Sequence, residues 1–287
     1  MQTIPSSPAE NPDRSTQPQR TDRVSMAPLG QWSSPFPLVG VLTDIDDTLT
    51  TDGAITQDAL HAMLALKQAG LSVVPITGRP VGWSEPFALA WPVDAIVAEN
   101  GAVALRRNAK GGLDRLYQQD APARSANFAR MQQVLAEIEA AVPGARRATD
   151  SPGRETDIAI DHSEFTHLPQ AAIDQAVALM HAAGMNATVS SIHINGWFGA
   201  HNKLEGARWI VRELFGRDLD AELEHWVYIG DSTNDQLMFA HFPHSVGVAN
   251  IARFVPQLQH LPRYVTQGER GAGFAELAQS LLAINDR

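Results

Sequence analysis

From Leu38 onward the chain alternates between short unbroken apolar runs and segments whose apolar residues recur at helical spacing. "LVGVLTD" is apolar on both faces, the pattern of a central strand in a parallel sheet. "TQDALHAMLALKQAG" places Leu60, Met63, Leu64 and Leu66 or Lys67 on one helical face, with Thr56 as N-cap and Gly70 just past the end. "LSVVPITG" and "DAIVAEN" read as a second and a third strand. This β-α-β order implies right-handed crossovers and a parallel sheet. The same grammar returns near the end. "NKLEGARWIVRELFG" is a helix with Leu204, Ala207, Val211 and Leu214 on one face. "HWVYIGD" and "HSVGVAN" are short buried strands, and "GAGFAELAQSLLAIN" is a closing helix.

Between about 106 and 197 the texture differs. Arg106, Arg107, "KGGLD" and "SPGRE" mark loops, while "NFARMQQVLAEIEAAV" and "LPQAAIDQAVALMHAAG" are amphipathic helices. "ETDIAID" and "NATVSSIHIN" alternate like half-exposed strands. The expected fold is therefore α/β: a doubly wound, Rossmann-like parallel-sheet core, 36–105 and 198–287, with an inserted α+β cap domain at 106–197. Residues 1–35, rich in Pro, Ser and Gln, are expected to form a disordered tail.

Hydrophobic residues make up 44% of the 287 and charged residues 19%, a globular balance. The net charge of −10 disfavours a nucleic-acid backbone or an anionic membrane surface as partner. The absence of cysteine excludes disulfides, thiolate metal sites and a Cys nucleophile. No apolar run is long enough to span a bilayer, and the first residues lack the apolar core of a signal peptide, so a soluble cytoplasmic protein is the default expectation.

"VGVLTDIDDTLT" sets Asp44, Asp46 and Asp47 within four positions at a strand's carboxyl end, where parallel α/β sheets bind ligands. The neighbouring strands end comparably, with Thr77 and Arg79 in "PITGRP", Glu99 and Asn100 in "AENGA", and Asp231 and Asp235 in "YIGDSTND". Lys203 falls in the first turn of a helix, where the dipole opposes it unless anions stand nearby. Clustered carboxylates need a cation, and an all-oxygen set suits Mg²⁺ bridging to phosphate oxygens. In such a site one Asp can attack phosphorus, and an Asp two positions on can protonate the leaving oxygen and deprotonate water.

"DIDDT", "ITGRP", the lysine of "HNKLEGA" and "GDSTND" resemble, in order, the four motifs of the haloacid dehalogenase superfamily of phosphatases and phosphomutases. The insertion resembles the larger α/β cap of its subfamily IIB, and that subfamily resembles the chain from about Leu38 to the C-terminus. The resemblance implies Asp44 as nucleophile and Asp46 as acid/base. It implies Mg²⁺ held by Asp44, the Asp46 carbonyl and Asp231, with Asp235 in support. Thr77, Gly78 and Lys203 would bind phosphate. Asp47 departs from the Gly usual after the second Asp. Arg79, Asn100, Arg154, His193 and Asn195 are substrate-binding candidates. For Arg154 an anion clamp and an ordinary loop residue both stand open. For His193 and Asn195, which share a strand face with Ser191, so do a substrate-facing face and a solvated one. Most of the ten histidines, which show no zinc-ligand spacing, are expected at the surface or as caps, and the six tryptophans in the core.

The implied function is Mg²⁺-dependent hydrolysis of a small phosphomonoester, with a sugar phosphate as the expected class, through an aspartyl-phosphate. A phosphoglycolate phosphatase, a phosphomutase and a non-catalytic small-molecule sensor on the same fold are the alternatives. The sequence leaves the oligomeric state open.

Overall fold

The computed structural model describes residues 25–285. Strand β1, Gly40–Thr43, is followed by helix α1, Gln57–Gln68, then β2, Ser72–Pro75, α2, Val81–Ala90, and β3, Ile96–Ala98. A hairpin follows, β4, Val103–Arg107, and β5, Leu113–Tyr117. Next come α3, Ala121–Ala141, β6, Ile158–Asp161, α4, Gln170–Ala182, β7, Asn186–Val189, and β8, His193–Trp197. The chain returns through α5, Lys203–Phe215, β9, Trp226–Gly230, α6, Gln236–His241, β10, Ser245–Gly247, and α7, Arg270–Asn285.

In the main sheet β1 lies between β2 and β9, with β10 beyond β9, all parallel. Val41 and Leu42 are fully buried because both faces of β1 are covered, as its unbroken apolarity requires. One apolar cluster gathers α1, α7 and Val41; another gathers Leu42, α5 and Trp226 on the opposite face. The doubly wound Rossmann-like core follows from these two covered faces. The inserted part has its own antiparallel sheet, in which β8 lies between β6 and β7, and its own core around Met131, Ile138, Ile160 and Met180.

Several expectations need correction. Strand β3 joins the main sheet only through an Ile76–Val97 bridge and otherwise pairs antiparallel with β4. Residues 106–117, expected in the cap, belong to the β4–β5 hairpin, and Leu105, Leu113 and Leu116 pack on the core clusters. "NATVSSIHIN" is two strands joined by a turn at 190–192, because Ser190 Oγ accepts from His193 N–H and closes it. Part of the expected disordered tail is ordered: Ala27–Pro28 pairs with Tyr264–Val265, and buried Trp32 donates to His244. Residues 1–24 of that expectation lie outside the described residues. Four of the ten histidines, His162, His193, His201 and His244, are buried, and the other six are not.

The chain turns from β3 into the hairpin at "AENG", where Glu99, Asn100 and Gly101 all have positive φ, 50°, 56° and 108°. Gly101 lies against α5, and a Cβ on it would overlap the Asn202 carbonyl oxygen. Gly101→Ala therefore combines a disfavoured φ with a backbone clash and should destabilise the fold by roughly 3 kcal/mol, measured by urea unfolding. A loss below about 0.5 kcal/mol would mean that this turn is not fixed as described.

Candidate active site

Asp44 is the residue after β1 and Asp231 the residue after β9, so adjacent parallel strands deliver two carboxylates to the same end of the sheet. Their side chains and that of Asp235 bring ligand oxygens within 4.8 Å of one another. Lys203, the first residue of α5, turns inward with only 3% exposure, and its Nζ donates to Asp44 Oδ1 and Asp235 Oδ1, both at 2.7 Å. Asn202 caps α5 by accepting from the Leu204 and Glu205 N–H groups, which fixes where Lys203 starts. A solvated surface lysine is thereby excluded.

Asp235 has no lone pair to spare. Oδ1 accepts from Lys203 and from the buried Tyr228 hydroxyl, and Oδ2 accepts from the Asp231 and Ser232 N–H groups. Its expected place among metal ligands is therefore that of a positioning group, despite the proximity of its oxygens. The capping box here is Ser232 with Asp235. Asp231 differs: Oδ2 accepts from Asn250 and Arg253, whereas buried Oδ1 has no partner among the described residues.

Asp46 is held by Arg79, whose Nε lies 3.0 and 3.1 Å from its two carboxylate oxygens. Arg79 continues to two residues of the insertion, Asp150 at 3.3 Å and Glu164 at 2.8 Å. Thr77 is buried, and its Oγ1 accepts from the Arg79 N–H. The Gly78 carbonyl accepts from Arg154 and Asn195, and a Cβ on Gly78 would press within 3.2 Å of Asn195. Asn100 and Asn195 both donate to Asp157. His193 is 2% exposed and lies 2.9 Å from Glu164. The β8 face bearing His193 and Asn195 thus looks onto the core, while Ser191 lies in the turn before the strand.

The haloacid dehalogenase-like hydrolase family model matches residues 41–141. A Thermoplasma acidophilum protein superposes with a TM-score of 0.65 at 16% identity, covering 86% of this chain and 99% of that one. The sucrose-phosphatase of Synechocystis, solved with sucrose and phosphate, gives 0.62 at 16%, covering 86% and 98%. The C-terminal domain of trehalose-6-phosphate phosphatase from C. albicans gives 0.60 at 14%, covering 86% and 93%. No curated protein matches the sequence. Residues 41–141 thus carry the pattern of a haloacid dehalogenase-like hydrolase, and the chain shares its fold with these phosphatase structures.

The electrostatics of the site are dominated by burial. Burial raises Asp44 to about 7 despite the opposing pull of Lys203. Asp231 is driven well above the carboxylate range by burial, then by Asp44 and Asp235. Burial would lower Lys203, yet Asp235 and Asp44 outweigh it and raise it. Across the cleft, burial works to raise Glu164, but hydrogen bonds from His193 and Arg79 prevail and bring it to about 2.

The sequence reading passed over Asp150, Asp157, Glu164, Tyr228 and Arg253. Only "RETD" carried a hint, since it places Asp157 three residues after Arg154. Asp47 has φ 56° and pairs with Arg253 and Arg270, which compensates for a side chain where glycine would be unstrained. No helix among the described residues is long and apolar enough to cross a membrane.

A pH dependence follows for the metal-free protein. Asp44 is raised from 3.8 to about 7 in the fold, so the stability tied to its neutral form is complete below 3.8 and lost as pH rises to 7. Lys203→Met removes the cation that restrains this shift. Its thermal destabilisation in EDTA should be larger at pH 7.5 than at pH 5, by on the order of 2 kcal/mol. An equal penalty at both pH values would contradict the arrangement.

Proposed function

We propose that this protein is a Mg²⁺-dependent phosphatase acting on a small phosphomonoester, with a sugar phosphate as the favoured class. The reading rests on one juxtaposition: Lys203 bridges Asp44 and Asp235 beside the partnerless Oδ1 of buried Asp231. Such a set is poorly compensated alone and well suited to a divalent cation and a phosphoryl group. The Asp44 carboxylate, the Asp46 carbonyl and Asp231 Oδ1 would hold Mg²⁺. The metal, when bound, supplies positive charge against Asp44 and the phosphoryl oxygens.

Asp44 Oδ2, opposite the oxygen held by Lys203, forms the bond to phosphorus as the ester P–O bond breaks. Asp46, two residues on, gives its proton to the departing oxygen. It then takes one from the water that attacks the aspartyl-phosphate, releasing phosphate and restoring Asp44. Thr77 Oγ1 and Lys203 Nζ are the donors for the phosphoryl oxygens. The N–H groups of Asp46 and Gly78, which make no hydrogen bond among the described residues, can join them. The sugar-phosphate class is supported by the sucrose-phosphatase and trehalose-6-phosphate phosphatase folds that this chain resembles. It is also supported by the carboxylates and amides that line the cap side of the cleft.

A panel of phosphomonoesters assayed for released phosphate tests the reading. Activity should vanish in EDTA and return with Mg²⁺; release that persists in the chelator would remove the metal from the scheme. Asp44→Asn should abolish both turnover and the phosphoenzyme. Asp46→Asn should slow turnover by about 10²–10⁴. Wild-type turnover by Asp46→Asn would take the acid/base role from Asp46.

A further inference from the structure

This inference rests on the phosphatase reading and concerns what the leaving group meets. The departing oxygen must lie beside Asp46 if Asp46 is to protonate it. Asp46 Oδ1 and Glu164 Oε1 both lie within ion-pair distance of the same nitrogen, Arg79 Nη2, at 2.9 and 2.8 Å. The cap carboxylate thus stands one bridging atom from the proposed acid/base. Glu164 is also firmly placed. Its loop leaves the end of β6, where Asp161 accepts from the N–H groups of Glu164, Phe165 and Thr166. Its Oε2 faces His193 Nε2.

The cations of this region are all engaged by the protein. Arg79 is spent on Asp46, Asp150 and Glu164. Arg154 is buried, with Nε and Nη2 on Asp150 and Nη1 on Asp157 and the Gly78 carbonyl. Arg154 is therefore a tie between cap and core rather than a receptor for a substrate anion. Two guanidiniums face Asp46, Asp150 and Glu164, with Asp157 behind them. Glu164 has the most open side chain of the three, 19% exposed against 12% for Asp46 and 10% for Asp150. Each of its oxygens keeps a lone pair beyond the contact it already makes.

We propose that Glu164 is the specificity-determining residue of this protein: it accepts a hydroxyl of an uncharged polyol leaving group and repels a leaving group that carries a second anion. A hydroxyl donated to an ionised carboxylate makes a strong hydrogen bond. A second carboxylate or phosphate would meet Glu164 with no free guanidinium to offset it.

The test compares kcat/KM for glucose 6-phosphate and 2-phosphoglycolate, with Mg²⁺, in the wild type and in Glu164→Gln. The wild type should prefer the sugar ester. Glu164→Gln should lower the sugar ester and raise phosphoglycolate, so that the ratio of the two falls by about 10- to 100-fold. A ratio that moves less than about twofold, with both substrates changing together, overturns the proposal, since a residue acting only through Arg79 and Asp46 shifts both alike. A second measurement needs no variant. Raising the ionic strength of the wild-type assay from about 0.05 to 0.5 M should narrow the preference by screening the repulsion. A wild type that prefers phosphoglycolate at low salt also overturns it. If neither ester nor any other in the panel releases phosphate, the phosphatase reading itself fails, and this proposal with it.

Discussion

The site depends on one buried cation. Lys203 Nζ lies 2.7 Å from both Asp44 and Asp235, in a place where three carboxylates converge without solvent. Removing such a cation from a desolvated cluster leaves its partners uncompensated, which costs far more than an exposed pair is worth. Much else in the core serves that contact. The Asn202 cap fixes the start of α5, and the Gly206–Gly101 approach, in which a Cβ on Gly206 would sit 2.5 Å from the Gly101 Cα, lets the helix lie against the turn after β3. Tyr228 and two backbone N–H groups then hold Asp235 so that it can share the lysine.

A second constraint joins insertion to core. Glu99 is fully buried and accepts from the Val81 N–H of α2 and from the N–H groups of Glu155 and Thr156 in the insertion. Burial raises this carboxyl, and those donors with Arg154 pull against the rise. Gly82 and Gly153 meet at the same seam, where a Cβ on either would press within about 3.1 Å of the other's Cα. The Arg154 side chain reaches across to the Gly78 carbonyl. The polar face of β8 is thereby held over the strand ends, which is why residues far apart in sequence can line one cleft.

The alternation of apolar runs and helical periodicity determined the parallel core, because a strand covered on both faces must be apolar throughout and β1 is. The positions of Asp44, Asp46, Thr77, Lys203 and Asp231 at strand ends and a helix start were legible for the same reason: the topology sends all such ends to one edge. The sequence was misleading where a short element bends. The turn at 190–192, the antiparallel return of β4 and the packed segment at 27–32 depend on partners distant in the chain. Tertiary structure alone decided what each polar side chain is spent on. Arg154 suited an anion clamp by residue type, but Asp150 and Asp157 occupy its donors. Asp235 suited a ligand by motif, but four donors fill its lone pairs. Glu164 carried no signal at all, since its meaning lies in sharing one Arg79 nitrogen with a residue 118 positions earlier. A sequence fixes which groups can ionise or donate; which of them remain free for a ligand depends on distances of about 3 Å that only the folded chain sets.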